Sequence, residues 1–386
     1  MEPGPVPEPI ATVDPSKNPK MLECSFFELN LPIRYDERLA ARLDGPPNSK
    51  SISAFWEAMS KSNYEDYLKQ VTEYRERMSV NDWGFCELLY RTAAQLYPSS
   101  LSERNMFVWF MLLKSGYQAK IGYSGDNVYL LLPSANTLYG IAYYSFAGTD
   151  RKFYNIMFDS KERPQIQELY SYDQNYPGAV RLTDYQVDRA PNIQHDVQTR
   201  VLRFTHFNTD YSLTVKCDRS AVKFYEYYPQ TNFEVYFDAK VSPEASSSLV
   251  AALKPLVAGK SETEAVDLLL HFVQTAFDYK TDQENFGREK PLFPDETLHY
   301  AASDCEDRSI LFAFLVRRLL GLEVVGLDYP GHIATAVRFT GNVEGDAVTV
   351  NGQKWIVCDP TYVNADHGKC MPQFKNVKPG TIAMKQ

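Results

Sequence analysis

The chain has 386 residues, 44% of them hydrophobic, and a net charge of −9, so it is long enough for two or three domains with their own cores. The acidic balance argues against a nucleic-acid surface, because phosphate binding needs a basic footprint. No apolar run reaches the roughly 18 residues expected of a membrane span. Six cysteines, at 24, 86, 217, 305, 358 and 370, form no CxxC pair. They read as mostly buried free thiols rather than zinc or redox motifs.

Residues 1–22 read as a disordered, Pro-rich and acidic leader, without the basic start and apolar segment of a signal peptide. An α+β unit over 23–160 follows. SFFELNLPI reads as a short strand, and SKSISAFWEAMSKS, NYEDYLKQVTEYRERM and DWGFCELLYRTAAQLY read as helices. SERNMFVWFMLLKSG is an apolar helix stopped at Gly116, and YQAKIGY, NVYLLLP, LYGIAYYSF and KFYNIMF are strands. Residues 161–245 read as a β-rich module, from RLTDYQV, TRVLRFTHF, YSLTVKC, AVKFYEYY and FEVYFDAKV. The last unit, 246–386, reads helix, long loop, helix, strands. Ser261 and Glu264 form a capping box for SETEAVDLLLHFVQTAF, and a helix runs from near Cys305 to Gly321. EVVGLDY, HIATAVRF and QKWIVCD are strands, the last in a hairpin turned at Asn351-Gly352. The fold class is α+β.

An internal repeat is visible. With Gly116 set against Gly321, Ser100 falls opposite Cys305, and SLSERNMFVWFMLLKSG parallels CEDRSILFAFLVRRLLG. VYLLLP then parallels HIATAV, and RKFYNIM parallels QKWIVCD. The first copy lacks the Cys, His and Asp and the long loop. It is either a degenerate, non-catalytic relative of the last unit or a chance likeness of two helix-then-strand runs.

The chemistry lies in Cys305, His332 and Asp359, equally spaced along the chain. A cysteine at a helix start has its thiolate favoured by the backbone dipole, although Asp304, Glu306 and Asp307 oppose this. A histidine at the mouth of a strand suits a base, and an aspartate ending the strand before Pro360 can hold the far side of the imidazole. Taken singly, each fits a bland role in core, strand end or turn; together they form a nucleophile, a base and an orienting carboxylate. Gln274 is a candidate oxyanion donor, with the alternative of a polar residue on an apolar helix. Asp307 and Arg308 are expected to form ion pairs at the helix start. Asp304, Glu306 and Asp307 show no EF-hand spacing, and His195, His206, His271 and His299 show no metal-ligand spacing. No nucleotide loop occurs, so no cofactor and no metal is implied. The aromatic strands of 161–245 could stack on sugar or peptide, although packing is their commoner role.

DCEDRSILFAFLVRRLLG, PGHIATAV and WIVCDPTYVNA resemble the Cys, His and Asp motifs of the transglutaminase-like superfamily, in family order, across roughly 246–386. The resemblance implies a papain-like fold, with the Cys on a helix start packed against a sheet that carries His and Asp. It implies Cys305 as nucleophile, His332 as general base and acid, and Asp359 as orienting carboxylate. It also implies a protein or peptide substrate, with glycan or cell-wall peptide as alternatives. The family includes transglutaminases, peptide N-glycanases and bacterial cysteine peptidases, so hydrolysis of amides, acyl transfer to an amine, and a binding protein with a vestigial triad stay open. The bacterial subgroup it resembles is often exported, to the periplasm or cell surface, and some members carry a second, degenerate copy. One departure is Ile333-Ala334-Thr335, where the family often has an aromatic residue soon after the histidine.

Overall fold

The computed structural model describes residues 19–158, 166, 168–172, 174, 176–194 and 196–385. The leader over 1–18, the expected boundary at 160–161 and His195 lie outside the described residues. The architecture is mixed α+β. Contacts divide the chain into one unit from the described residues of Met1–Glu76, Phe85–Pro133 and Ala142–Thr183, and another of Arg77–Gly84, Ser134–Ile141 and Asp184–Gln386. Among the described residues, no helix is long and apolar enough to cross a membrane.

In the first unit, SFFELNLPI is part of a hairpin rather than one strand. β1 (Lys20–Phe26) and β2 (Leu29–Tyr35) pair antiparallel around Phe27-Glu28. Both turn residues have positive φ, 45° and 70°, a backbone that side chains other than Gly or Asn rarely announce. Then come α1 (Ser49–Ser60), opened by an Asn48 capping box, α2 (Tyr64–Arg77), α3 (Asp82–Leu96) and α4 (Leu101–Lys114). α4 is capped by the Ser100 hydroxyl, buried from Ser102 through Leu113 except at Arg104, and followed by Gly116 at φ 85°. A helix apolar on nearly every side must be enclosed. It packs on a five-stranded sheet of β3 (Lys120–Ser124), β4 (Asn127–Pro133), β5 (Tyr143–Ser145), β6 (Lys152–Ile156) and β7 (Tyr170–Ser171), in the order β5-β6-β4-β3-β7.

The second unit holds the hairpin β8 (Val197–His206) and β9 (Thr209–Asp218), then α5 (Arg219–Tyr225) and α6 (Phe233–Asp238). The expected strands in AVKFYEYY and FEVYFDAKV are therefore helices. Asp218 caps α5 by accepting the Ser220 N–H at 2.9 Å, and Phe224, Tyr225, Val235, Tyr236 and Phe237 are all buried. Their aromatic and β-branched content reflected burial, not a pleated backbone. Nor do residues 161–245 form a module of their own: the described ones up to 183 belong to the first unit and those from 184 to the second.

α7 (Pro243–Val257) packs on β9, and α8 (Glu262–Thr275) opens on the expected Ser261–Glu264 capping box. The long loop is not featureless. It holds β10 (Asp278–Tyr279), α9 (Asp282–Phe286), α10 (Pro294–His299) and β11 (Ala302–Ser303), with β10 parallel to β11. α11 (Cys305–Leu320) ends at Gly321, φ 68°. It packs on α8 and on a second five-stranded sheet: β12 (Glu323–Tyr329), β13 (His332–Arg338), β14 (Ala347–Val350), β15 (Gln353–Cys358) and β16 (Gly380–Ile382). The strand order is β14-β15-β13-β12-β16, and the expected turn at Asn351-Gly352 has positive φ at both residues.

The two sheets correspond strand for strand and in register. Leu130 pairs Ile156 as Thr335 pairs Cys358, and Tyr143 pairs Tyr154 as Ala347 pairs Ile356. Ser124 faces Asn127 as Tyr329 faces His332. From Ser100 to Asn127 and from Cys305 to His332 the match needs no gap. The repeat seen in the sequence is thus a repeat of topology, with Asn127 opposite His332 rather than the Val128 that setting VYLLLP against HIATAV implies.

Candidate active site

Cys305 is the first residue of α11, delivered there by β11. It is partly exposed, whereas the other five cysteines are buried. Its Sγ accepts the Ile333 N–H at 3.5 Å and lies 3.1 Å from Glu306 Oε2, to which the thiol donates. His332 opens β13 after the turn at Gly331, φ 72°, and faces Tyr329 of β12. The Cys305 sulfur is therefore tied to the strand that His332 opens, through the backbone of the residue next to the histidine. Phe374 stacks on the imidazole, with ring centres 5.0 Å apart and planes 1° from parallel. β15 pairs with β13 through Thr335 and Cys358, which carries Asp359 to the imidazole. His332 Nε2 is 2.9 Å from Asp359 Oδ2. Asp359 Oδ1 accepts from the Thr361 N–H, the Thr361 hydroxyl and the Tyr362 N–H, at 3.0, 2.9 and 3.2 Å. One carboxylate oxygen is thus braced while the other serves the imidazole. The brace is an Asx turn, a geometry that Asp-Pro-Thr favours.

The electrostatics around the sulfur are acidic. Burial, and then Glu306, push the Cys305 thiol up, which favours the neutral thiol over the thiolate. Asp282, Asp304 and Glu306 present oxygens within 4.8 Å of one another. Burial pushes the Asp282 carboxyl up to about 7 and also raises Asp304, Glu306 and Asp307. The first three could hold a divalent cation between them. Asp282 had no signal in the sequence, because only the folding of the long loop brings it to the helix start. Asp307 instead accepts the N–H groups of Leu292 at 2.7 Å and Asp304 at 3.3 Å.

Two expectations are corrected. Gln274 is buried at 2% exposure and has no free N–H for an oxyanion. Its Nε2 donates to the carbonyls of Asp359 and Ala365, both at 3.0 Å, and its Oε1 accepts the Asn364 N–H at 3.1 Å. Arg308 is not ion-paired with Asp307. Its buried guanidinium donates to the carbonyls of Gln274 and Phe277 and to the Ser303 hydroxyl. His206 and His271, distant in sequence, meet with their Nδ1 atoms 2.8 Å apart, while His299 Nδ1 lies 3.9 Å from the Cys217 sulfur.

Beside His332 is an open cleft of about 330 Å³, with Tyr279, Thr361, Val363 and Phe374 among its walls. Tyr279 and Val363 are about half exposed, at 54% and 49%, so the cleft offers apolar surface next to the imidazole. No protein-family model, curated protein or solved structure matches the chain.

Proposed function

We propose that the protein is a cysteine-dependent hydrolase of amide bonds, a peptidase or amidase of the transglutaminase-like superfamily with a papain-like C-terminal fold. The observation that carries the reading is the 2.9 Å link from His332 Nε2 to Asp359 Oδ2, beside a helix-start cysteine held by the neighbouring Ile333 N–H. With Nε2 on the carboxylate, Nδ1 is the nitrogen left for the thiol proton. Because burial and Glu306 favour the neutral thiol, deprotonation accompanies attack: His332 accepts the proton as sulfur bonds to the carbonyl carbon. The oxyanion meets N–H groups of the first turn of α11, which have no intrahelical acceptor, that of Cys305 first. Collapse breaks the C–N bond, the imidazolium protonates the departing amine, and the acyl group stays as a thioester on Cys305. Water, deprotonated by His332, then releases the carboxylic acid and returns the thiol. An amine in place of water gives transglutaminase-type transfer.

The acidic setting of the sulfur favours a second reading, a peptide- or glycan-binding protein with a vestigial triad. Iodoacetamide alkylation separates the two. The enzyme reading expects Cys305 to react at pH 6–7 at a rate that His332→Ala lowers, together with cleavage of a peptide library that Cys305→Ala abolishes. Alkylation indifferent to His332, with no peptide cleaved, would leave the binding reading.

A further inference from the structure

α8 carries a buried polar stripe. Asp267, His271 and Gln274 fall at i, i+4 and i+7, on one face of the helix, and each is at least nine-tenths buried. All three reach one short segment of chain, the residues that follow β15. Asp267 accepts from the His367 N–H at 2.7 Å and lies 2.9 Å from His367 Nδ1. His271 Nε2 is 3.1 Å from Asp366 Oδ1. Gln274 holds the carbonyls of Asp359 and Ala365 and the N–H of Asn364. Asn364 sits at φ 65°, a left-handed turn that Gln274 braces from both sides.

Gln274 is also tied in the other direction. Its own carbonyl accepts from Arg308 at 3.1 Å, and Arg308 lies one turn along α11 from Cys305. One residue therefore connects the helix of the nucleophile by its main chain and the segment of the carboxylate by its side chain. A buried amide with both donors and its acceptor occupied is costly to assemble and costly to leave partly unmade. Simple stapling of a loop would need none of these bonds to fall on Asp359 itself.

We propose that Gln274 is a positioning residue of the catalytic site: its side-chain amide fixes the backbone of Asp359, so that Oδ2 stays on His332, and fixes the turn that sets Thr361 and Val363 in the wall of the cleft. The inference rests on the reading of Cys305, His332 and Asp359 as a working triad, and it adds a role for a residue that touches neither the thiol nor the imidazole. Its consequence is a split effect. Loss of the amide lets Asp359 drift, which lowers kcat, and loosens the cleft wall, which raises KM.

The test compares Gln274→Leu, Gln274→Glu and Asp359→Ala in the full chain. The first readout is the imidazole N–H resonance of His332, followed with histidine-labelled protein, since the chain holds six histidines. A hydrogen bond to a carboxylate shifts that proton downfield and protects it from exchange. The expected result is its loss in Asp359→Ala, its loss or broadening in Gln274→Leu, and an intermediate signal in Gln274→Glu, which keeps the acceptor for Asn364. A Gln274→Leu protein with a lower Tm but an unchanged His332 signal overturns the inference, because a staple without a positioning role would behave that way. If Gln274→Leu does not fold, Gln274→Glu decides by the same signal. The second readout is peptide hydrolysis, where Gln274→Leu is expected to lower kcat/KM by about a hundredfold and to add nothing in an Asp359→Ala background. Independent, multiplicative losses in the double variant also overturn it. A wild-type protein that cleaves no peptide or amide removes the hydrolase reading, while the His332 resonance still decides whether Gln274 positions Asp359.

Discussion

Two regions of this chain are built on one plan and differ at its chemical positions. In each, an apolar helix runs into a five-stranded sheet with the same strand order and cross-strand register. In the second, the helix start, the mouth of the second strand and the end of the fourth hold Cys305, His332 and Asp359. In the first, the same places hold Ser100, Asn127 and Met157. Ser100 uses its hydroxyl to accept the Glu103 N–H at 3.2 Å, closing a helix end rather than meeting a substrate. A thioether at Met157 cannot orient an imidazole. The long loop over 280–303, with α9 and α10, has no counterpart before α4. The two regions therefore share a scaffold and differ in the residues that occupy these three places.

The largest effect that sharpens this contrast is expected from Cys305→Ala. It should lower amide hydrolysis by about 10⁴-fold or more, measured as kcat/KM on the best peptide of a library. Ser100→Cys in that background should restore nothing, because the first copy lacks both base and carboxylate. Restoration would break the distinction between the two units. Next in size is Asp359→Ala, expected to cost about 10²–10⁴ in kcat. Thr361→Val, which removes only one of the three donors to Oδ1, should cost far less. Equal losses would mean that the brace, not the charge, is what His332 needs.

What the sequence made legible follows the same division. Cys305, His332 and Asp359 could be singled out because each residue sits at an element boundary with its own local signal: an acidic helix start, Pro330-Gly331 before a strand, and Asp-Pro-Thr after one. The repeat could be read because α4 and α11 both end at a glycine needed for positive φ. Hidden were features set by tertiary placement. Phe27-Glu28 turns a hairpin without a turn signature. The aromatic residues of α5 and α6 mimic strands because both settings bury them. Gln274 reads as a polar residue on an apolar helix before it reads as an oxyanion donor, and the carbonyls that occupy its amide come only with the fold. Asp282 joins the acidic cluster only through the fold of a loop whose sequence carries no period.

That loop gives the next prediction. Asp295 on α10 is fully buried, accepts from the Ser242 N–H and hydroxyl, and is pushed up to about 6 by burial. A carboxyl raised in the folded state contributes stability that is fully present below its unfolded pKa near 4 and lost as pH rises through 6. Unfolding by urea should therefore show the second unit losing roughly 1–3 kcal/mol between pH 4 and pH 6–7 from this group. Asp295→Asn should flatten that slope. A slope unchanged by the substitution would assign the pH dependence to other buried carboxyls.

The smallest expected effect tests the first unit. Ser100→Ala removes a helix cap, which costs about 1 kcal/mol, and should appear as a lower midpoint for the first unit in a thermal or urea melt. The same variant should leave the rate of Cys305 alkylation and the kcat/KM for peptide hydrolysis at wild-type values. The reason lies in what each hydrogen bond serves. The Ser100 hydroxyl accepts one N–H that the helix would otherwise leave without a partner, and it does so whether or not a substrate is present. Cys305, one position into the equivalent helix, accepts its N–H from a strand residue beside a histidine, where any change in the sulfur alters reactivity. A loss of peptide hydrolysis in Ser100→Ala without loss of stability would mean that the first copy still handles substrate, and the two units would then have to be read as halves of one function.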